Sequence, residues 1–439
     1  MRSVGLSLAL FCLVYGTGAF VDVLENENPS KIWAVLVAGS NGWGNYRHQA
    51  DICHAYQILH SHGVPDEQII VMMYDDIAHN SLNPEPGTII NRPYGIDVYS
   101  GVIKDYTRRD VTADNFLNVL SGNEAAMAGI GSGKVVKSTA NDNVFVYFSD
   151  HGATGLIAFP HDELYAKPLN KTLYQMYQQH KFKKLVFYLE ACESGSMFKD
   201  LLPSDINVYA MTAANDHESS WGCYCENPER LPCLGDLFSV VWMQDSDKED
   251  LRRETLRHQL EVTKRLTNKS HVQDFGDLSI LDEKVSQFQG AKQSHRTTAP
   301  LSFEHLSAVE SRSIPEYHLA SKLQRSNSMA DQQEYELQLN RLRAKRTLLE
   351  TYVKEIVYRL VPHAGKRRRL LRLEQRSRAQ FDCHQTAFSA FGDHCFRISE
   401  NPYALKYSYV FFNLCEEGIH VDNIVKSIRT VCNDTNGVE

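Results

Sequence analysis

The chain has 439 residues, 43% hydrophobic and 23% charged. This is close to the globular average, which excludes a disordered, collagenous or small disulfide-framework protein and leaves room for one large domain plus a smaller module. With 46 Lys and Arg against 54 Asp and Glu the net charge is −8, so the molecule as a whole has no electrostatic reason to seek nucleic acid or an anionic membrane.

Residues 1–19 read as a secretory signal: Arg2 supplies the positive start, Gly5 to Tyr15 the apolar core, and Thr17-Gly18-Ala19 the small residues for cleavage. That run is too short to span a bilayer and no later stretch reaches ~18 apolar residues, so no membrane span is expected. Acceptor sequons at Asn170, Asn268 and Asn433 agree with the same route.

From Ile32 to about Ala213, short apolar runs alternate with amphipathic segments, which predicts an α/β domain with a mainly parallel sheet. The predicted strands are Ile32 to Ala38, Gln68 to Met73, Asn143 to Ser149, Lys184 to Leu189 and Val208 to Thr212. Between the first two, Ile52, Cys53, Tyr56 and Leu59 recur at helical spacing up to Gly63, which makes Cys53 a core residue. The stretch from Asn83 to Gly101, with three prolines, reads as a long irregular connection. Two glycine-rich stretches read as turns: Gly129 to Lys134 lacks the first Gly and the final Ser or Thr of a P-loop, and Gly39 to Gly44 has the wrong glycine order for a dinucleotide site.

Beyond Leu281, Ser, Gln and His become frequent and Pro300 and Pro315 interrupt any long helix, so Gln287 to Gln324 is expected to be an exposed linker with one helical piece at most. A helical pattern then runs from Asp331 to Pro362, and another begins at Lys366-Arg367-Arg368-Arg369. Arg341 to Gln380 carries thirteen Lys or Arg against three Glu, a net of +10, which leaves −18 for the remainder. A basic helical tail and an acidic body are natural partners.

Four of the ten cysteines, Cys383, Cys395, Cys415 and Cys432, crowd the last sixty residues, the density of a small helical module stapled by two disulfides in an oxidising compartment. Spacing alone leaves three connectivities open. Cys225 and Cys233 could close a short loop beside Cys223, and the spacing lacks the paired geometry of a zinc site, so no metal is expected.

Two strands end in residues that core packing does not explain. One runs into Asp150-His151-Gly152 and the other into Glu190-Ala191-Cys192-Glu193-Ser194-Gly195. Ligands gather outside the carboxyl ends of strands in open α/β sheets, so neighbouring strands would bring an imidazole and a thiol together with a Gly that admits backbone donors. That is what nucleophilic cysteine catalysis requires.

With Val37 to Trp43, Asn45 to Asp51, Met72 to Asp76, Ser149 to Gly152 and Glu190 to Ser196 taken together, the sequence resembles the legumain family of asparaginyl endopeptidases, relatives of the caspase-like cysteine proteases. The resemblance implies a caspase-like, mainly parallel α/β fold followed by a small all-α prodomain. It also implies a lysosomal or secreted thiol protease that cuts after Asn, less well after Asp, and is made as a zymogen. Peptide ligation on the same site, or an inactive interaction protein of the same fold, are the alternatives.

The family pattern maps the nucleophile onto Cys192, the general acid/base onto His151, its orienting partner onto Asn45, and the oxyanion donors onto the backbones of Gly152 and Cys192. The specificity pocket maps onto Arg47, His48, Glu190, Ser219, Ser220 and Asp236, a set able to pair with both ends of an Asn side chain. Implied boundaries are a short propeptide at 20–29, the protease domain at 30–288, an activation linker at 289–327 and the inhibitory prodomain at 328–439, with self-cleavage after Asn327. The implied disulfides are Cys383 with Cys415, Cys395 with Cys432, and Cys225 with Cys233 beside the pocket. No cofactor is implied. The partners are protein and peptide substrates, the chain's own prodomain and cystatin-type inhibitors. Many relatives carry Arg-Gly-Asp where this chain has Ser121-Gly122-Asn123, so integrin-type attachment is not expected. The charge split predicts release in acid, as carboxylates with depressed pKa values facing the basic tail take up protons.

Overall fold

The computed structural model describes residues 30–292, 306–372, 374 and 378–433. The expected signal and N-terminal propeptide lie outside the described residues, as does part of the linker.

The five predicted runs become parallel strands because each is apolar on both faces. These are β1 (Ile32–Ala38), β2 (Ile69–Met72), β3 (Asn143–Ser149), β4 (Lys184–Glu190) and β5 (Val208–Thr212). A sixth strand, β6 (Gln273–Gly276), closes one edge antiparallel, and the order is β6-β5-β4-β3-β1-β2. Along β1, Ala34, Leu36 and Ala38 enter one core layer while Trp33, Val35 and Val37 enter the other, the period-two alternation of a sheet covered on both sides. Helices Tyr46–Ser61, Leu237–Lys248 and Leu256–Leu266 cover one face, and Ala113–Ser121 and Ala166–Gln178 the other. Ile52, Cys53, Tyr56 and Leu59 all lie in the core, as their spacing predicts.

The chain leaves β1 toward β2 on one side and returns to β3 on the other, so the topological switch point lies between β1 and β3. The carboxyl ends of β1, β3 and β4 stand level, Ala38 opposite Ser149 and Ser149 opposite Glu190. Such a switch point opens a crevice above the sheet. It is flanked here by the turn after β1 and by Asp150-His151.

The C-terminal module is helical, with segments Met329–Leu360, Ala364–Leu370, Phe381–His394, Ser408–Glu416 and Val421–Asn433. The 32-residue helix starts where Ser328 caps the Asp331 amide and stops before Pro362, which cannot continue it. Three disulfides join Cys383 to Cys415, Cys395 to Cys432 and Cys225 to Cys233, while Cys53, Cys192 and Cys223 are free and buried. Among the described residues no helix is long and apolar enough to cross a membrane.

Three expectations need correction. The stretch after Leu306 is not an exposed linker, since Leu306 is buried and Val309–Glu310 pairs antiparallel with Trp221–Gly222, although it does hold one α-helical piece, Ile314–Arg325. Among the described residues, the ion pairs seen in the basic tail run to Glu316, Glu350, Glu355 and Glu417 rather than to an acidic face of the body. The body and the helical module meet largely through apolar packing, with Ala153, Leu156, Ala158 and Tyr165 in the module's core and Phe381 and Phe412 in the body's, and the Lys167–Asp382 ion pair runs from body cation to module acid. Finally, Asn170 is not an exposed acceptor in the folded chain: it is buried inside its helix, its amide donating to Ala166 O and Met197 O at 2.7 Å each. Asn268 is exposed on a turn, and the side chain of Asn433 lies outside the described residues.

Candidate active site

Asn45 stands at the N-cap position of the helix after β1 but does not cap it. Its Nδ2 donates to Asn41 O at 2.8 Å, which turns Oδ1 toward His151 Nε2 at 2.9 Å. The amide is thereby committed: Oδ1 accepts, Nε2 carries the proton, and Nδ1 of the neutral ring is left as the base. Cys192, one strand over, is 2% exposed, with Sγ 3.8 Å from Ser220 Oγ. A Cβ added to Gly152 would lie 2.5 Å from Cys192 O, 2.8 Å from Ala191 Cβ and 3.4 Å from Cys192 N. Only glycine lets these two backbones approach.

Below this lies a buried polar pocket. Arg47 Nε meets Asp236 Oδ1 at 2.8 Å, and His48 lies between Ser40 Oγ at 2.6 Å and Asp150 Oδ1 at 3.0 Å. Ser239 donates to Glu190 from both N and Oγ. Asp51, which sequence reasoning left out of the pocket, receives Asn91 Nδ2 at 2.8 Å and the Asp236 amide at 3.2 Å. One guanidinium thus sits among four buried carboxylates, those of Asp51, Asp150, Glu190 and Asp236. Burial pushes the pKa values of Asp51, Glu190 and Asp236 above the usual carboxylate range, with repulsion from Asp236 adding to the rise at the other two. Burial, and then the Arg47 charge, push His48 well below its usual value.

The chain's own linker occupies the cleft. Val309 and Glu310 extend the Trp221–Cys223 strand, and the Ser311 amide donates to Ser220 O at 3.1 Å. Glu310 takes the Ser219 hydroxyl at 2.6 Å, and Ser311 Oγ lies 3.3 Å from Ser220 Oγ. The side chain of Arg312, 8% exposed, reaches both carboxylate oxygens of Glu193 and donates to Ser219 Oγ and Gly152 O at 3.0 Å each. Ile314 then returns over Gly222 and packs with Cys225 and Cys233. Sequence reasoning missed Arg312, Glu193 and Glu310. Glu193 beside the candidate nucleophile was the one visible signal, while nothing around Arg312 marks a cleft ligand.

Covering the cleft sets its chemistry. Burial, then the charges of Arg47 and Arg312, push His151 down to about 3. Burial also raises the Cys192 thiol, although the Arg312 charge works against that rise. The closed state therefore holds a neutral thiol and a neutral imidazole, and the reactive thiolate is suppressed. His48, Asp150 and His151 bring possible metal-ligand atoms within 4.8 Å of one another. His48 Nδ1 is engaged there by Ser40 and Asp150, and His151 Nε2 by Asn45.

Residues 32–291 match the peptidase C13 family and residues 337–432 match the legumain prodomain. The chain is 51% identical to legumain of Rattus norvegicus over 96% of this chain and 98% of that protein. It is 44% identical to the vacuolar-processing enzyme delta-isozyme of Arabidopsis thaliana over 94% of this chain and 92% of that protein. A solved caspase-1 structure from Spodoptera frugiperda aligns over 61% of this chain and 92% of its own at 9% identity and a TM-score of 0.37, a likeness too slight to carry any part of the reading.

Proposed function

The chain belongs to the peptidase C13 family and is a cysteine endopeptidase with a legumain prodomain, and we propose that it cuts peptides after Asn, less well after Asp, once acid and self-cleavage have removed its C-terminal part. The observation that carries this reading is the pocket in which one guanidinium lies among buried carboxylates. An Asn side chain offers a carbonyl to Arg47 and an amide to the acids, whereas an apolar side chain leaves both unpaired at a cost of several kcal/mol.

In this mechanism Cys192 Sγ passes its proton to His151 Nδ1 and attacks the scissile carbonyl. The backbone amides of Gly152 and Cys192 hold the oxyanion, and His151 returns the proton to the leaving amine. Water then hydrolyses the thioester. Arg47, His48, Glu190, Ser219, Ser220 and Asp236 form the specificity pocket, and Asn45 keeps the His151 tautomer. The linker and helical module act as the built-in inhibitor, with the protease domain ending near residue 288. Asn327, exposed between the helices Ile314–Arg325 and Met329–Leu360, is the activation cut. Residues 1–19 and the three disulfides support passage through an oxidising secretory route toward lysosome or endosome, with Asn268 as a glycan acceptor and cystatin-type proteins as outside inhibitors.

Acid-treated precursor assayed with a fluorogenic Ala-Ala-Asn peptide tests the reading. Hydrolysis after Asn together with alkylation of Cys192 supports it. An inert protein whose Cys192 resists an active-site-directed alkylator overturns it.

A further inference from the structure

Glu193 receives the Arg312 guanidinium on a main chain that other residues hold. It follows Cys192 with φ at 47°, and its own amide donates to Glu218 O at 2.8 Å while its carbonyl takes the Ser196 amide at 2.8 Å. These backbone bonds, independent of Arg312, fix the main chain from which the carboxylate projects, and with Arg312 in place its side chain is 2% exposed. Around it, Ser219 Oγ and Gly152 O supply further acceptors. Together they satisfy the fork of a guanidinium, a geometry that lysine's point charge does not reproduce.

The register of the linker assigns this receptor a place along a substrate. Ser311 shares Ser220 with the nucleophile: its amide donates to Ser220 O at 3.1 Å, and Ser220 Oγ lies 3.3 Å from Ser311 Oγ and 3.8 Å from Cys192 Sγ. Arg312 follows it and turns toward the residue after the nucleophile and toward the carbonyl of Gly152. In the linker the position of the cleaved residue thus holds Ser, which lacks the amide that the pocket reads, while the next position holds Arg. Once the linker leaves, Glu193 has lost its cation, and a substrate that supplies one restores a charge-assisted pairing.

We infer that Glu193, Ser219 and the Gly152 carbonyl form a guanidinium-binding subsite that selects Arg at the residue immediately following the cleaved Asn. This deepens the proposed function and rests on cleavage after Asn. It makes Glu193 a specificity-determining residue, and the linker a partial substrate mimic that fills the subsite without offering a cleavable bond.

The test uses acid-activated enzyme and quenched peptides identical except at the residue after Asn, which is Arg, citrulline or Met. Citrulline keeps the shape of Arg without its charge. For wild type, kcat/KM for the Arg peptide is expected to exceed that for the citrulline peptide by roughly tenfold, the scale of a charge-assisted pairing. In Glu193→Gln that ratio is expected to fall to about one. Equal Arg and citrulline values in wild type would overturn the subsite whether or not the variant folds, and so would an Arg preference that survives in Glu193→Gln. If no peptide is cut after Asn, the underlying reading fails and this one with it. If all are cut equally, only the subsite fails.

Discussion

Asn45 Oδ1 lies 2.9 Å from His151 Nε2 while Asn45 Nδ2 is tied at 2.8 Å to Asn41 O, so the orientation of one amide decides which imidazole nitrogen carries the proton. Replacing Asn45 with Ala removes that decision without touching the thiol. The expected result is a fall in kcat of about tenfold or more, the scale of one orienting hydrogen bond, with KM for an Asn peptide little changed because the pocket is intact. Steady-state kinetics on activated Asn45→Ala separates the two constants, and an unchanged kcat would show that the contact is ornamental.

Cys192 sits at a strand end, with a thiol that packs against Ser220 rather than inside an apolar stripe. Cys192→Ala is therefore expected to abolish turnover while lowering stability by no more than about 1 kcal/mol, well below the loss from a large core truncation. Thermal unfolding beside the peptide assay checks both halves. Residual turnover at a substantial fraction of wild type would remove Cys192 as the nucleophile.

The sheet and the dyad were legible because both are carried by local pattern. Runs such as Val144 to Phe148 are apolar on every position, and His151 and Cys192 break that pattern at the ends of paired strands. The fate of the linker was not legible. Val309–Glu310 is two residues long, and what makes it a strand is the free edge of Trp221–Cys223, about ninety residues away in sequence. Charge counting misled for a related reason: a net of +10 in the tail says nothing about pairing at close range, where Arg343 and Arg346 find Glu316 and Lys366 and Arg369 find Glu417. Asn170 illustrates the same limit, since a sequon is read from three residues while its burial depends on Met197.

The pocket also predicts how Asp and Asn substrates diverge with pH. A substrate carboxylate placed beside Asp51, Glu190 and Asp236 meets like charge wherever those acids are ionised and pays for its own burial, whereas its protonated form presents a carbonyl and a donor as Asn does. Above its pKa of ~3.9, the protonated fraction of a model Asp grows about tenfold for each unit that the pH falls. The ratio of kcat/KM for Ala-Ala-Asn over Ala-Ala-Asp should therefore shrink steadily as pH falls from 7 toward 4. A flat ratio across that range would mean that the acids do not face the substrate side chain.

Acid release of the linker should run through histidines rather than through the basic tail. Covered by the linker, His151 is pushed down to about 3 by burial and by Arg47 and Arg312, and His318, on the linker's own helix beside Cys233, is pushed down to about 4 by burial and by Arg47 and Lys322. In water an imidazole titrates near ~6.5. A base whose pKa is depressed in the docked state favours docking above that ordinary value and opposes it progressively as pH falls, because only the undocked form takes the proton. Glu193 works the other way, since burial raises its carboxyl while it is covered, so taking up a proton there would not favour opening. Between pH 6.5 and 5 each histidine should favour opening by about tenfold per pH unit. Hydrogen exchange at the Ser311 and Tyr224 amides, which bond Ser220 O and Leu306 O, measures opening in an uncleavable Cys192→Ser precursor once intrinsic rates are divided out. The slope of log opening against pH should approach −2 in that protein and about −1 when His318→Gln is added. A slope near zero in the precursor would refute histidine-driven release, and an unaltered slope in the double variant would assign the second proton elsewhere.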